Sequence, residues 1–272
     1  LYGLGLVEKG IRACNARGVF DTAIAEWNVA MMINLARDLR GMVRNQEHGV
    51  WAKTARFQNE IRGRVLGLWG YGGIGRDTAR LAKARGMKNV FVTSGFETKE
   101  AWDYIRPHLD AANVDLKGFT EKFYREVCGA RLKPVLESLE HLVATGVWVE
   151  VTTLLLEGYN DSDEEVRAMA RFLKGLSPDI PWHLTAAHPD YRMLDLRPTR
   201  HATLARAHAI AKEEGLRFVY VGNVLDEERS STYCPDCGRL LVRRRGYRVE
   251  ALWEAPGVCP GCGQRIPGVW TW

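Results

Sequence analysis

The spacing of apolar residues predicts helices and one strand in the first part of the chain. Between residues 21 and 37 apolar side chains recur mostly three and four positions apart, as they do on one face of a helix. Asp21 is the predicted N-cap of this helix. The apolar run 65–69 predicts a strand, and a second helix is predicted over 76–85. The sequence leaves the oligomeric state open, although the first helix has a broad apolar stripe around Trp27 that would be exposed without a partner.

From residue 89 onward the pattern predicts a parallel sheet. Short apolar runs alternate with helical segments, and this alternation is typical of βαβ units. Ligands of such sheets lie at the carboxyl ends of the strands, so polar residues there are candidate site residues. We therefore expect an α/β fold with parallel βαβ repeats. The predicted strands are 89–93, 112–116, 147–156, 182–185 and 217–221, and the predicted helices are 101–109, 133–145, 163–173 and 203–214.

The composition is that of a globular protein without a membrane helix. Of the 272 residues, 46% are hydrophobic and 26% are charged, and no strongly apolar run reaches the roughly 20 residues that span a bilayer. The net charge of +5 is spread along the chain, apart from a group of arginines at 239–248. This charge pattern permits a nucleic-acid partner but does not require one, and we expect no such partner. The chain begins without a methionine or a charged leader, which favours the interior of a longer protein.

The cysteines indicate a metal site and a reducing, cytoplasmic compartment. Two C-P-x-C-G knuckles each present two thiolates on a tight turn, and two such turns close a tetrahedral site that suits zinc or iron. Four thiolates leave no open coordination position, so we expect a structural site. Cys14 and Cys128 have no partner at ligand spacing and are interpreted as packing residues. The predicted metal ligands are Cys234, Cys237, Cys259 and Cys262.

Polar residues follow several of the predicted strands. Asp115 and Lys117 lie two apart and face the same side, where they can hold a zwitterionic ligand or form a plain surface salt bridge. His183 and His188 are candidates for an acid, a base or a metal ligand, although a histidine that makes one hydrogen bond is commoner. An ordinary turn or cap residue is the alternative at each position.

The turn after the first strand, GYGGIG, fits the G-x-G-x-x-G pattern of a dinucleotide site. Gly70, Gly72 and Gly75 are the predicted contacts, and backbone N–H groups at the following helix N-terminus are available for phosphate. The acidic residue expected about 20 positions later for the ribose is replaced by Thr93 or Ser94. Close packing of the strand against the helix is the alternative use of these glycines.

The stretches GVFDTAIAEW at 18–27 and GLWGYGGIG at 67–75 belong to a first resemblance. Residues 1 to about 87 resemble the NAD-dependent D-2-hydroxyacid dehydrogenases. The resemblance implies a Rossmann-like segment whose glycine turn binds NAD. The portion that carries that family's catalytic arginine, glutamate and histidine has no counterpart here, so no dehydrogenase mechanism can be assembled.

A second resemblance begins inside the helix after the glycine turn. It is carried by DTARLAK at 77–83, NVFVTSGF at 89–96, ANVDLKG at 112–118, EVTTLL at 150–155, GYND at 158–161, HPDY at 188–191 and both cysteine knuckles. Residues from about 77 to 272 resemble the radical S-adenosylmethionine enzymes related to the pyruvate formate-lyase activating enzyme, in the AmmeMemoRadiSam-system branch. The resemblance implies a partial TIM-type barrel that holds S-adenosylmethionine at its strand ends. The implied cofactor contacts are Thr93, Ser94, Asp115, Lys117 and His188.

The sequence departs from this second family at one point. The family generates its radical on a 4Fe-4S cluster held by C-x-x-x-C-x-x-C, and the printed sequence contains no such triplet. We therefore expect cofactor binding with impaired catalysis, and the catalytic residues are unknown. The implied partners are a protein substrate or other proteins of the AmmeMemoRadiSam system.

The predicted organisation has three parts. A dehydrogenase-like segment covers 1–87, a radical-SAM-like partial barrel covers 77–228, and a rubredoxin-like metal ribbon covers 229–272, with the junction in the helix 76–86. The favoured function is that of a radical S-adenosylmethionine activating-type protein. The two alternatives are an NAD-binding oxidoreductase derived from a dehydrogenase, and a non-catalytic metal ribbon whose arginines bind nucleic acid or a partner.

Overall fold

The structure is a computed structural model that describes residues 18–51, 59–190 and 193–270. It divides into two compact units, Leu1–Asn89 and Val90–Trp272, which we call the N-terminal and the C-terminal unit. Within the described ranges no helix has the length and apolar character needed to cross a membrane. The prediction for Cys14 falls outside the described residues.

In residues 18–51 and 59–87, the part of the N-terminal unit that the structure describes before β2, there are three helices and one strand. Helix α1 begins at Asp21, and the residue before it, Phe20, makes no side-chain cap, so the predicted N-cap at Asp21 is wrong by one position. Helix α3 begins three residues earlier than predicted, because Gly72 already has the extended backbone of an N-cap. The elements are α1 (Asp21–Ala36), α2 (Leu39–Glu47), β1 (Val65–Trp69) and α3 (Gly73–Ala84).

The C-terminal unit is built on parallel strands that pair in chain order, which confirms the predicted α/β fold. The strands are β2 (Lys88–Thr93), β3 (Ala111–Asp115), β4 (Trp148–Leu155), β5 (Trp182–Ala186) and β6 (Val219–Gly222); β2 begins at the division between the units. The helices that connect them are α4 (Lys99–Ile105), α5 (Glu121–Phe123), α6 (Leu132–Ala144), α7 (Asp163–Leu176) and α8 (His201–Glu213).

Two of these boundaries differ from the predicted ones. The helix predicted over 101–109 ends at Ile105 and continues as a 3₁₀ turn, Arg106–His108, because Pro107 has no N–H to donate to an α-helical hydrogen bond. Helix α5 is followed by a π-helical turn, Tyr124–Cys128, which the apolar pattern does not predict.

The side chains of the sheet alternate between two faces. In β4, Val149 and Val151 are buried, and α6 packs on this strand. Trp148, Glu150 and Thr152 alternate with them and are only half-buried on the opposite side, which we call the open face. One face of the sheet is therefore core, and the other remains accessible to a ligand.

A short helix and a separate antiparallel sheet follow β6. Helix α9 (Glu227–Ser230) precedes strands β7 (Thr232–Tyr233), β8 (Leu240–Arg245) and β9 (Arg248–Ala251), which form the ribbon. The core of the ribbon is small and includes two of the predicted ligand cysteines. Its buried members are Phe218, Cys234, Leu241, Val242, Cys259 and Ile266.

The start of helix α8 is tied to the loop after β4 by Glu157. This carboxylate accepts hydrogen bonds from the Thr203 hydroxyl and from the backbone and side chain of Arg200. The hydrogen bonds from Thr203 and then from Arg200 lower the pKa of Glu157 to about 2. The group should therefore stabilise the fold fully above pH 4.5, and this contribution should disappear as the pH falls through about 2.

We expect Glu157→Gln to remove this acid-dependent part of the stability. The free energy of unfolding, measured in urea at pH 5 and at pH 2.5, should change less with pH in the variant than in the wild type. Glu164→Gln, at an exposed position of α7, is the matched control and should behave as the wild type does. An equal pH dependence in all three proteins would show that Glu157 does not couple protonation to folding.

Candidate functional site

The ends of β2 and β3 carry four of the five predicted S-adenosylmethionine contacts. Thr93 is the last residue of β2 and Asp115 the last of β3, and these strands are neighbours. Lys117 Nζ lies 3.0 Å from Asp115 Oδ2, so the two side chains form the salt bridge considered from the sequence. Both side chains are between 33% and 41% exposed, which leaves them accessible to a ligand. Ser94 directly follows Thr93.

The loop that carries Lys117 is held by buried polar groups. The Lys117 N–H donates to Tyr124 Oη at 3.1 Å, and the Lys117 carbonyl accepts from Asn160 Nδ2 at 2.6 Å. One residue earlier, the Leu116 carbonyl accepts from the Thr153 hydroxyl at 2.7 Å. Burial raises the pKa of Tyr124, so its hydroxyl stays protonated at neutral pH. These contacts fix the backbone from which Lys117 extends.

His188 is not brought to the other predicted contacts. It follows β5, which β4 separates from β3. Its side chain is 76% exposed, and its ion-pair neighbour is Asp190, 3.9 Å away. Thr93, in contrast, shapes the turn after β2, because its hydroxyl accepts a hydrogen bond from the Gly95 N–H at 3.1 Å. The predicted role of His188 in cofactor binding stays a prediction.

A cavity of about 810 Å³ lies over the open face of the sheet. Its floor includes one row of aligned positions across four strands, Asp115, Thr152, His183 and Tyr220. The β2 side of the floor is apolar, and segments of the ribbon region, including Arg244 and 267–270, line the other side. The volume lies within the range of small-molecule pockets. Of the predicted cofactor contacts, only Asp115 lines it.

A polar network crosses this cavity. His183 Nε2 lies 2.7 Å from Glu150 Oε2, and Trp148 Nε1 donates to the other carboxylate oxygen at 3.3 Å. Burial raises the pKa of Glu150, but the hydrogen bond and charge of His183 and the other donors outweigh it, and the net pKa is lowered. The His183 ring stacks on Tyr220 at 5.3 Å, and the Arg244 guanidinium lies 5.4 Å from the same ring.

The sequence named His183 as a candidate but missed its neighbours. Glu150 lies within an apolar run, and its alternation with Val149 and Val151 was the available signal that it faces away from the core. No sequence pattern indicated that Tyr220 and Arg244 lie near His183, because their proximity depends on how β6 and β8 are placed.

The four C-terminal cysteines converge as predicted. Their sulfur atoms all lie within 4.8 Å of one another, with Cys234 to Cys262 and Cys237 to Cys259 at 3.6 Å. Tetrahedral zinc with Zn–S bonds of about 2.3 Å needs sulfurs about 3.8 Å apart, so the residues present fit a bound metal ion.

The two knuckles have the same backbone geometry. Gly238 N–H donates to the Cys234 carbonyl and Gly263 N–H to the Cys259 carbonyl, both at 2.9 Å. Both glycines have positive φ, +72° and +74°, which only glycine adopts without strain. Burial raises the pKa of Cys259, but backbone N–H groups of the knuckle lower it more, to about 6. A thiolate is thus available for a metal at neutral pH.

In the N-terminal unit the three predicted glycines differ in what they do. Gly70 has φ of +91°, so it needs glycine for its backbone conformation. A Cβ on Gly75 would lie 2.5 Å from the Gly70 carbonyl oxygen, so Gly75 is required for close packing of the turn. A Cβ on Gly72 would meet no atom within 4 Å. A Cβ on Gly70 would likewise meet no atom within 4 Å, so Gly70 and Gly72 both border open space.

Comparison with known proteins separates the two parts of the chain. Residues 29–115 match the family model described as D-isomer specific 2-hydroxyacid dehydrogenase, NAD binding domain. A hydroxypyruvate reductase of Thermotoga maritima is 31% identical over 139 residues, which are 50% of this chain and 41% of that protein. An uncharacterized protein of Methanocaldococcus jannaschii is 39% identical over 193 residues, which are 70% of this chain and 57% of that protein.

A solved structure decides the fold of the remaining part. A domain of the pyruvate-formate lyase-activating enzyme from Bacteroides vulgatus has a TM-score of 0.52 at 16% identity, and the alignment covers 59% of this chain and 100% of that domain. The chain is chimera-like. One segment matches the NAD-binding domain model of the D-2-hydroxyacid dehydrogenases, and the fold is similar to that of a domain of a pyruvate-formate lyase-activating enzyme. It spans about half the length of the two relatives named above.

The dehydrogenase match of this chimera-like chain continues beyond the predicted limit near residue 87. It ends at residue 115 and so includes β2 and β3, the strands that carry Thr93 and Asp115. A strand followed by a helix and a parallel strand is common to both kinds of fold, so a stretch of this kind is compatible with either.

Proposed function

We propose that the C-terminal unit binds S-adenosylmethionine at the carboxyl ends of β2 and β3, and that this chain does not cleave it. The proposal is carried by the Asp115–Lys117 pair, with 3.0 Å between the charged atoms, at a strand end beside the cavity. A carboxylate and an ammonium group side by side complement the ammonium and carboxylate of an amino acid. The fold similarity to an activating enzyme supports the choice of ligand.

The expected loss of cleavage rests on the cysteines. A 4Fe-4S cluster needs several thiolates, and the printed sequence has no C-x-x-x-C-x-x-C triplet. Four of the six cysteines already converge in the ribbon, and Cys128 is separate from them. The residues of the chain therefore fit the organic cofactor better than they fit the cluster. Among the residues that the structure describes, the bound cofactor would have no adjacent cluster as an electron donor.

Titration of the full chain with S-adenosylmethionine tests the proposal. Asp115→Asn and Lys117→Met should each weaken binding about tenfold or more, since each removes one charge-assisted contact. Asp103→Asn and Lys133→Met, at two exposed ion pairs on α4 and α6, are the matched controls and should not change the affinity. Equal affinity in all four variants would exclude the Asp115–Lys117 pair as the site.

A second assay separates binding from cleavage. The full chain is reconstituted anaerobically with iron and sulfide and then assayed for 5′-deoxyadenosine. No product is expected. Product formation would show that a cluster is assembled from other ligands, and the chain would then be an active enzyme.

We further propose that the partners of a complete protein are a protein substrate or other members of the AmmeMemoRadiSam system.

A second candidate function is that of a metal ribbon. It is favoured by the four sulfurs within 4.8 Å, which suit zinc or iron. None of the four cysteines lines the cavity, so a metal ion and the cofactor can be bound in one protein. Metal analysis of the purified chain should give about one ion per chain without acid-labile sulfide. Acid-labile sulfide would instead indicate a cluster.

A further inference from the structure

The glycine turn of the N-terminal unit carries an internal negative charge. An NAD pyrophosphate binds such turns through backbone N–H groups at the N-terminus of the following helix. Here that helix is α3, whose first residue is Gly73. The Asp21 carboxylate lies directly against Gly73, and its Oδ2 atom occupies the place that a Cβ of Gly73 would take. A carboxylate therefore lies beside the first residue of the helix N-terminus at which phosphate is expected.

The position of Asp21 follows from the packing of α1 on α3. Asp21 is the first residue of α1, and the two helices pack along each other. Two side-chain hydrogen bonds join them, from the Thr22 hydroxyl to Asp77 Oδ2 at 3.0 Å and from Asn28 Nδ2 to Thr78 Oγ1 at 3.1 Å. The packing of α1 on α3 therefore places Asp21 next to Gly73.

Electrostatics make this carboxylate a competitor of a dinucleotide. The N-terminus of a helix carries a partial positive charge, which a carboxylate neutralises as a phosphate would. A pyrophosphate entering the turn would have to displace Asp21 or lie beside a like charge. The strand that should supply a ribose-binding acid ends in Thr93 and Ser94, so this second attractive contact is missing as well.

We propose that Asp21 places a built-in negative charge beside the dinucleotide phosphate site, so that the N-terminal unit does not bind NAD. A Cβ on Gly72 would meet no protein atom within 4 Å, so the charge of Asp21, and not a steric block at Gly72, would oppose a pyrophosphate. The residues present therefore do not fit NAD, although residues 29–115 match an NAD-binding family model. In this chain the turn serves the packing of α1 on α3.

The test is a calorimetric titration of the full chain with NAD and, as a separate probe, with inorganic pyrophosphate. The wild type should show no saturable binding of either. Asp21→Ala should gain at least about tenfold in affinity for pyrophosphate, because the competing charge is gone. Asp21→Asn, which keeps the shape and removes the charge, covers the case in which the alanine variant does not fold. Glu26→Gln, at an exposed position of the same helix, is the control.

A double variant locates any gain in binding. Gly72→Ala adds a Cβ that meets no protein atom, so it should leave the fold intact and remove the gain seen in Asp21→Ala. A gain that survives Gly72→Ala would place the anion elsewhere and overturn the proposal. Saturable binding of NAD by the wild type, or no gain with either probe in a folded Asp21 variant, would overturn it too.

Discussion

Removal of the metal from the four-cysteine site is expected to unfold the ribbon and to leave the parallel sheet folded. The buried core of the ribbon is small, and two of its members, Cys234 and Cys259, belong to the four-cysteine cluster. Metal binding contributes about 10–16 kcal/mol in structural zinc peptides, so the metal-free ribbon should lack most of its stability. The sheet should persist because its own core, under α6, α7 and α8, contains no ligand cysteine.

Thermal unfolding followed by circular dichroism should show one additional low-temperature transition after chelation. Limited trypsin digestion should then cut first at the arginines of β8, which the folded ribbon protects. Cys237→Ser should reproduce the effect of chelation, whereas Cys128→Ser, whose thiol is outside the cluster, should not. An unchanged digestion pattern in the metal-free protein would show that apolar packing alone holds the ribbon.

Sequence reasoning worked best where a structural feature is local. Each cysteine knuckle is five residues long, and its glycine, Gly238 or Gly263, has the positive φ that the motif requires. The convergence of four sulfurs could therefore be predicted before any fold was known. The strand and helix alternation was predictable for a similar reason, because the apolar period of each segment depends on its immediate neighbours.

The cavity could not be predicted in the same way. Glu150 and His183 are 33 residues apart in the chain and meet because β4 and β5 are neighbours. Arg244 reaches Tyr220 from β8, which belongs to a different sheet. Such contacts depend on sheet order and on the packing of the ribbon, and neither is encoded in a local pattern.

Asp21 lies at the start of a helix, as the sequence predicted, but it is not the N-cap of that helix. An aspartate at the start of a helical pattern is a good N-cap candidate. In the structure its carboxylate lies against Gly73, the first residue of a different helix, α3, because α1 packs on α3. The family resemblance predicted a nucleotide at this turn, and this single side chain changes the interpretation of the turn.

Asn160→Ala is expected to lower the free energy of unfolding by about 3 kcal/mol or more, because several buried backbone groups lose their partners. Asn160 is fully buried. Its Nδ2 donates to the carbonyls of Lys117 and Leu154 at 2.6 and 2.9 Å, and its Oδ1 accepts from the Leu156 N–H at 2.7 Å. No other side-chain hydrogen bond in the described residues joins the loop after β4 directly to Lys117.

Urea unfolding measures the stability loss, and Tyr159→Ala is the control because Tyr159 is the adjacent, 51% exposed residue. Asn160→Asp keeps the acceptor for Leu156 but turns a carboxylate toward two carbonyls, so it should destabilise the fold at least as much as alanine does.

If Asn160 also positions Lys117, S-adenosylmethionine affinity should fall in Asn160→Ala under conditions where the protein is still folded. A stability loss below about 1 kcal/mol would mean that water replaces the amide, since a water-mediated bond is nearly as favourable as a direct one. The loop that carries Lys117 would then be held chiefly by Tyr124 and Thr153.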